Sequence, residues 1–307
     1  MIRLSFLSVV NLVSLLSFTT VIGLAHGKPI TLIDDWKRSI VVDDQANQRI
    51  ISLAPHATEL VAAAGLLKQL VAVDTNSDYP VSVKSLPKLT SYPRIELEGV
   101  ISQRPTLIVL WGAGLDRTVI DRLQNYGIAV FVSEPKSAAD IVRNIQQFGK
   151  LRSLVGEGPF INGEAELVVS QWQQRIKKLE LRYASKSQVK YFLQVWQQPL
   201  MALSDQSLQG EASRICAGKN VFAQGTSAAP QTDIEAVISL RPNAWLVAAS
   251  SAVDAVATVK NQTHRDNIKA RGFAGHWIIL DDAQLQRPGP RWLDGVQAFC
   301  AALDSAR

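Results

Sequence analysis

Large aromatic rings that follow predicted strands are the side chains best suited to bind a ligand in this chain. Trp111 and Trp196 each end an apolar run typical of a strand, and Tyr79 and Tyr92 lie in a proline-punctuated loop. Because ligands of open α/β sheets bind outside the carboxyl ends of the strands, a wall of such rings suits a flat, extended, partly apolar ligand. Any of these rings could instead belong to a core. A core position is expected for Trp172, Trp245, Trp277 and Trp292.

Two arginines flank a stiff turn near the carboxyl terminus, Arg287-Pro-Gly-Pro-Arg291. The turn comes soon after Asp281 and Asp282 at the end of a predicted strand, so it can hold a guanidinium toward the mouth of a cleft. The alternative is an ordinary helix start with a proline near the first position. The sequence therefore makes Arg287 and Arg291 candidate ligand-binding residues.

Signatures of catalysis are missing from the sequence. It has no Gly-x-Ser-x-Gly, no phosphate loop and no Gly-x-Gly-x-x-Gly after a strand. No pair of its four histidines has the spacing of zinc ligands. His56 directly follows a strand and is either a polar turn residue or an axial ligand to a metal chelate in the cleft. An enzyme would need a titratable pair at the strand ends, for which Asp281 and Asp282 beside Arg287 are the candidates. We expect a binding protein with neither an enzymatic activity nor a cofactor.

A repeated segment indicates two equivalent lobes. Glu98-Gly-Val-Ile-Ser-Gln-Arg-Pro105 returns 137 positions later as Glu235-Ala-Val-Ile-Ser-Leu-Arg-Pro242. Each copy predicts a short helix that ends near the Arg-Pro, because a residue before proline is pushed out of the α region, and a buried strand follows. A carboxylate is favoured near a helix N-terminus, so both glutamates are either helix caps or residues with a shared role.

Strands and helices alternate through both halves, which predicts two Rossmann-like α/β lobes with mostly parallel sheets and a ligand cleft between them. In the first lobe we expect a hairpin over residues 30–42, a strand over 49–53, a turn over 54–58 and a helix over 59–64. The segment after residue 159 belongs to neither repeat; as a helix of about 22 residues it would span roughly 33 Å and connect the lobes rigidly. Its apolar stripe is Ala165, Leu167, Val168, Trp172, Ile176, Leu179 and Tyr183. The predicted units are a signal peptide (1–27), an N-terminal lobe (28–159), a linker helix (160–186) and a C-terminal lobe (187–307).

The first residues have the pattern of a secretory signal peptide. Arg3 precedes an apolar run, and Ala25 and Gly27 are small residues at positions −3 and −1 of a cut after Gly27, with a cut after Ala25 as an alternative. A retained membrane anchor is the competing interpretation. Cleavage would remove one arginine and no acid, so the formal net charge of +5 would fall to +4. Aromatic residues do not alternate with the basic residues between 175 and 186, so a nucleic-acid surface is not indicated.

The two cysteines of the chain, Cys216 and Cys300, both lie in the second lobe. In an oxidising compartment they can form a disulfide. Two separate buried thiols are the alternative.

Five segments together carry a resemblance to a known family. The segments are Arg49-Ile-Ile-Ser-Leu-Ala-Pro-His-Ala-Thr-Glu-Leu, Ser77-Asp-Tyr-Pro80, Leu97-Glu-x-Val-Ile-Ser-x-Arg-Pro105, Gln194-Val-Trp-Gln-Gln-Pro-Leu-Met201 and Cys216-Ala-Gly-Lys-Asn-Val-Phe222. In order and spacing they resemble the helical-backbone periplasmic binding proteins of ABC importers, and within that family the cobalamin-binding members.

The resemblance implies a monomeric two-lobed periplasmic receptor that delivers a corrinoid to an inner-membrane ABC permease and its ATPase. Tyr79, Tyr92, Trp111 and Trp196 match positions that line the ligand in that family. Glu98 and Glu235 match the surface glutamates, one per lobe, that contact arginines of the permease. Siderophore and haem receptors share the fold, and where the resembled receptor has a tryptophan this chain has Ala228-Ala-Pro230. An iron-siderophore or haem ligand is therefore the alternative.

Overall fold

A computed structural model describes residues 28–44, 48–113, 115–155, 164–206, 208–225, 227–249 and 255–307. The predicted signal peptide, residues 1–27, lies outside these ranges. Within them, no helix combines the length and the apolar character that a membrane span requires.

The first lobe is built on a parallel sheet. Before it, β1 (Ile30–Ile33) and β2 (Ser39–Val42) form the predicted antiparallel hairpin. The strands of the sheet are β3 (Ile50–Leu53), β4 (Leu70–Asp74), β5 (Lys88–Leu89), β6 (Leu107–Trp111) and β7 (Ala129–Ser133). The α-helices are α1 (Pro55–Ala63), α2 (Leu97–Ser102), α3 (Arg117–Asn125) and α4 (Ala138–Gly149). The strand order is β5-β4-β3-β6-β7, and every neighbouring pair is parallel.

A long helix, α5 (Glu164–Tyr183), separates the first lobe from the second. The strands of the second lobe are β8 (Val189–Trp196), β9 (Met201–Ala202), β10 (Gly218–Asn220), β11 (Ala244–Ala249) and β12 (His276–Asp281). Its helices are α6 (Leu208–Ile215), α7 (Ile234–Ser239), α8 (Ala255–Ala270), α9 (Asp282–Leu285) and α10 (Trp292–Asp304). The sheet has the order β10-β8-β11-β12, with β9 antiparallel to β8. Two α/β lobes joined by one long helix are the fold class that the sequence predicts.

The two sheets have the same topology, and the repeated segment occupies equivalent places in both. Strands β3, β4, β6 and β7 correspond to β8, β10, β11 and β12 in chain order and in sheet order. The repeat forms α2 and α7, the helices before the third strand of each set. Two residues after the end of each helix comes an arginine before proline, Arg104 and Arg241, with φ of 49° and 52°. Neither arginine is in the right-handed helical region that a following proline disfavours.

The hydrophobic core is shared between the lobes on one side only. One cluster of buried side chains joins both sheets through the helices α1, α4, α5, α6 and α10, and it includes Phe131, Trp172 and Phe299. The other face of each sheet has a separate cluster, around Ile108 in the first lobe and Trp245 in the second. The lobes are therefore packed together along the linker helix, while their other faces are independent.

Two local predictions are wrong. Residues 54–58 are not a turn, because α1 begins at Pro55, where the missing N–H of proline costs no helical hydrogen bond. Leu167 is not on the packed stripe of α5, since 57% of its surface is exposed. The stripe continues instead through Val169, Trp172 and Tyr183, which are buried.

The predicted disulfide is present. Cys216 follows α6 and Cys300 lies in α10, and the bond joins residues 84 positions apart. Both residues are fully buried, so the cross-link ties the last helix to the middle of the second lobe.

Candidate functional site

Asp74, the last residue of β4, organises the two loops that carry the predicted tyrosines. Its buried carboxylate accepts hydrogen bonds from the backbone N–H of Asn76 at 2.8 Å and from the Ser91 hydroxyl at 2.5 Å. These bonds hold the segments before Tyr79 and around Tyr92 at the carboxyl end of β4. Tyr79 is 44% exposed and Tyr92 is 85% exposed, so both rings are available to a ligand.

A buried chain of hydroxyls anchors the start of the Tyr79 loop to the sheet and to α1. The Thr58 hydroxyl lies 2.7 Å from that of Ser52 on β3 and 2.7 Å from that of Ser77. The Lys88 ammonium donates to the Ser77 carbonyl at 2.6 Å. Because the three hydroxyl residues are buried and mutually bonded, the backbone two residues before Tyr79 has a defined position.

Trp111 stands where the sequence placed it, as the last residue of β6, and is 53% exposed. The ring of His56 approaches it edge-on, with centroids 6.4 Å apart. His56 is a buried residue in the first turn of α1, and its Nε2 lies 3.2 Å from the Ser133 carbonyl oxygen. Burial lowers the pKa of His56 to about 4, so the ring is neutral at pH 7. His56 is thus neither the polar turn residue nor the cleft-exposed axial ligand that the sequence suggested.

Trp36, which the sequence did not single out, lies against Gly112, the residue after Trp111. It lies in the turn of the hairpin, and its indole N–H donates to the Glu134 carboxylate at 3.0 Å, just past the end of β7. The guanidinium of Arg117 lies 4.7 Å from the ring centroid, a cation–π distance. Gly112 leaves the space that Trp36 needs, since a Cβ there would lie 2.9 Å from the indole nitrogen. The sequence signal that could have indicated Trp36 was a tryptophan in the turn of a hairpin expected to pack beside the edge of the sheet.

In the second lobe, Trp196 ends β8 and is 62% exposed, and its indole N–H donates to the Gln198 carbonyl at 3.0 Å. Behind it, the buried Gln194 accepts a hydrogen bond from Trp245 at 2.9 Å and contacts His264 at 3.0 Å. Burial lowers the pKa of His264. Trp172, Trp245 and Trp292 are buried as expected, whereas Trp277 is only partly buried.

The two predicted arginines do not stand free at the cleft mouth but pair with acids of the other lobe. Arg291 binds Glu59 of α1 through two hydrogen bonds, 2.6 and 3.1 Å long. Arg287 donates to Asp78 at 2.6 Å. Burial acts to raise the pKa of Asp78, but the Arg287 hydrogen bond and the charges of both arginines hold it below its usual value.

This interlobe cluster brings together three of the predicted ligand residues, because the Arg291 guanidinium also lies 4.2 Å from the centroid of the Tyr79 ring. Asp78 comes after β4 and Arg287 comes after β12, so loops that follow strands of both lobes meet here. Glu59 and Asp78 were not among the predicted site residues, although Asp78 directly precedes Tyr79 in a segment that carried the resemblance.

The repeated glutamates occupy the second position of equivalent helices, and both are exposed. Glu235 forms an ion pair with Arg271, which follows α8. Glu98 has no ion pair with any described residue. The cap of α7 is Asp233, whose side chain accepts from the Ala236 N–H at 2.7 Å, so Glu235 is free of that role. No cap hydrogen bond involves the side chain at the start of α2.

No group of three or more His, Cys, Asp and Glu side chains among the described residues is arranged to hold a metal ion. The described cleft residues are instead exposed aromatic rings with a few paired charges. Such a surface binds a large, partly apolar ligand by contact area and by a small number of oriented polar groups.

Two curated proteins with similar sequences have the same description. The chain is 33% identical over 262 residues to a vitamin B12-binding protein of Vibrio vulnificus, covering 82% of this chain and 89% of that protein. It is 31% identical over 269 residues to a vitamin B12-binding protein of Yersinia pestis, with 85% and 88% covered.

Solved structures show the same similarity. The periplasmic vitamin B12 binding protein of Vibrio cholerae matches with a TM-score of 0.70 and 29% identity, over 85% of this chain and 98% of that chain. A periplasmic heme binding protein of the same organism matches with a TM-score of 0.69 at 20% identity, over 83% of this chain and 98% of that chain, which is a likeness of fold. The periplasmic binding protein family model matches residues 50–274. With this match and these relatives, the chain belongs to the periplasmic binding protein family.

Proposed function

We propose that this protein is a periplasmic receptor that captures cobalamin or a related corrinoid and delivers it to an ABC permease. The observation that carries the proposal is the agreement between the relatives, which are named vitamin B12-binding proteins, and the exposed aromatic rings that follow the strands. A corrin ring is broad, flat and partly apolar, so aromatic faces can cover it with little loss of side-chain entropy.

The proposed ligand-contacting residues are Tyr79, Tyr92 and Trp111 in the first lobe and Trp196 in the second. We add Trp36 to this set, because it lies against Gly112, the residue that follows Trp111. Arg287 and Arg291 contribute at the junction of the lobes, where their acid partners orient them. Membership of this family supports a periplasmic location, with the signal peptide cleaved after Gly27 or Ala25.

Ligand identity is tested by titrating the exported form, starting at Lys28, with cyanocobalamin, hemin and a ferric siderophore in separate calorimetric experiments. We expect cyanocobalamin to bind with one site per chain and to co-elute with the protein in size-exclusion chromatography, visible by its absorption. Tighter binding of hemin or the siderophore than of cyanocobalamin would contradict the proposal and establish the alternative ligand class.

Delivery is proposed to depend on Glu98 and Glu235. Both are exposed at equivalent positions of the two lobes, so a permease with two-fold symmetry could meet both with arginines. Paired charges of this kind mainly set orientation and association rate. We expect the double variant Glu98→Arg/Glu235→Arg to fold and bind ligand normally but to abolish receptor-stimulated transport in vesicles that contain the permease. Normal transport, or loss of ligand affinity instead, would exclude the docking role.

A further inference from the structure

Glu59 is a carboxylate that is almost completely buried at the junction of the lobes, with 3% of its surface exposed. Its partner is Arg291, 232 residues away in the sequence and in the other lobe. A buried carboxylate is costly unless it is paired and hydrogen-bonded, and a bidentate arginine satisfies both oxygens at once. The Glu59 carboxylate can therefore stay charged at this buried position only while Arg291 of the other lobe pairs with it.

The contacts of Arg291 extend from this pair into the cleft. The two hydrogen bonds that Arg291 donates to Glu59 fix the plane of the guanidinium, and this bonding raises the pKa of Arg291. The same guanidinium lies 4.2 Å from the Tyr79 ring centroid, within cation–π range. Lysine could not replace it, because an ammonium offers a point charge rather than a planar fork.

The turn that carries Arg291 is held from two further sides. The Pro290 carbonyl accepts a hydrogen bond from the Trp172 indole of the linker helix at 2.9 Å. Gly289 lies against Glu59, since a Cβ there would be 3.2 Å from its carboxylate oxygen. The turn therefore has little freedom to move while Glu59 holds Arg291.

We infer that Glu59 is a positioning residue of the ligand cleft: it orients Arg291 beneath Tyr79 and thereby sets the position of the Tyr79 ring and the spacing of the lobes at this end. The role rests on the proposed function, in which Tyr79 contacts the ligand. Glu59 itself is buried behind Arg291 and acts through it.

The experiment compares cyanocobalamin affinity in Glu59→Gln, Tyr79→Ala and the double variant. We expect Glu59→Gln to weaken binding by roughly 2- to 30-fold, the range of mutations that act through a packed network. In the Tyr79→Ala background the same change should add less than about twofold, because coupled residues are not additive. Unchanged affinity in Glu59→Gln, or full additivity with Tyr79→Ala, would overturn the inference.

A matched control variant distinguishes the positioning role from a general loss of stability. A measurement without ligand tests the positioning role independently of which ligand binds. Asp294→Asn breaks a 2.5 Å ion pair with Arg175 beside the same junction and should leave the affinity unchanged. In ligand-free protein, hydrogen exchange over residues 75–85 should be faster in Glu59→Gln than in wild type and in Asp294→Asn. Faster exchange in a protein that binds no corrinoid would contradict the proposed function but support the positioning role, whereas equal exchange would contradict the positioning role.

If Glu59→Gln does not fold, Arg291→Lys provides the second variant. It keeps the positive charge next to Glu59 and removes the bidentate contact and the flat guanidinium face. We expect the same non-additivity with Tyr79→Ala. Wild-type affinity in Arg291→Lys would overturn the inference.

Discussion

The two lobes share a sheet topology but are stabilised by different means. The first lobe is reinforced by the hairpin, whose Asp34 and Asp35 bind Arg38 and Arg143 and the backbone of β7. The second lobe is reinforced by the Cys216–Cys300 disulfide and by the antiparallel strand β9. The repeated glutamates also differ in their contacts. Glu98 has no ion pair among the described residues, whereas Glu235 pairs with Arg271.

Some features are present in both lobes, whereas others occur in only one of them. Both lobes have a glutamate at the second position of the helix before the third strand, and both have an Arg-Pro shortly after the end of that helix. Covalent and polar reinforcement is not duplicated. We infer that the paired surface positions serve a common purpose and that the reinforcements serve only the lobe that contains them.

Loss of the disulfide should have the largest effect, and it should fall on the second lobe. In the chain-entropy model, releasing a cross-link between residues 84 positions apart lowers the free energy of unfolding by about 4–5 kcal/mol. Urea denaturation of Cys216→Ser/Cys300→Ser should show this loss. Reductant should destabilise the wild type and leave the double variant unchanged; equal stability of wild type and variant would refute the assigned reinforcement.

Acid sensitivity should come mainly from a histidine of the first lobe. The pKa of His56 is about 4 in the folded protein and 6.5 as the ordinary value, so below pH 6.5 the unfolded chain binds a proton that the folded chain does not. Stability present above pH 6.5 is therefore lost as the pH falls toward 4, by on the order of 3 kcal/mol. Denaturation of wild type and His56→Gln at pH 7.5, 5.5 and 4.5 tests this.

The outcome for the two lobes is expected to differ. His56→Gln should flatten the pH dependence between 6.5 and 4. His264→Gln, in the second lobe, should flatten it less, because His264 is only partly buried although burial lowers its pKa as well. Equal slopes in wild type and His56→Gln would contradict the assignment.

Removal of an aromatic ring should distinguish the two walls of the cleft. Trp111→Ala should weaken cyanocobalamin binding by about 1–3 kcal/mol, as for a large anchor residue. Trp196→Ala should cost less, because Trp111 is supported by the His56 ring and Trp196 is the more exposed. Calorimetry measures both, with Tyr126→Ala as control, since this exposed ring lies at the far end of α3. A larger effect at Trp196 than at Trp111 would reverse the comparison.

The smallest effect is expected from removing the ion pair that Glu235 has and Glu98 lacks among the described residues. Arg271→Gln removes the ion-pair partner of Glu235. Because an exposed ion pair contributes about 0–1 kcal/mol, the affinity for the permease should increase by at most about fivefold at low salt. Lys269→Gln, which removes a charge from α8, is the control. A weaker association in Arg271→Gln would mean that Arg271 itself contributes to docking.

The α/β class, the repeat, most strands and helices and the disulfide were predictable from the sequence, because they rest on local signals. Apolar runs and the prolines after Arg104 and Arg241 are signals within a short stretch of chain. The disulfide could be predicted because the chain has only two cysteines to pair. The exposed aromatic positions followed from the rule that sites lie after strand ends. The start of α1 was missed because Pro55 can open a helix as readily as it can interrupt one.

Tertiary structure alone decided which charges face each other and which groups lose water. Glu59 and Arg291 meet across 232 residues, and no periodicity along the chain indicates that pair. His56 acquires its low pKa from burial, and the hydrogen bond to the Ser133 carbonyl of β7 offsets only part of that shift. Trp36 lies next to the end of β6 because Gly112 leaves room for it. Electrostatic and packing energies depend on distance in space, whereas sequence patterns record separation along the chain.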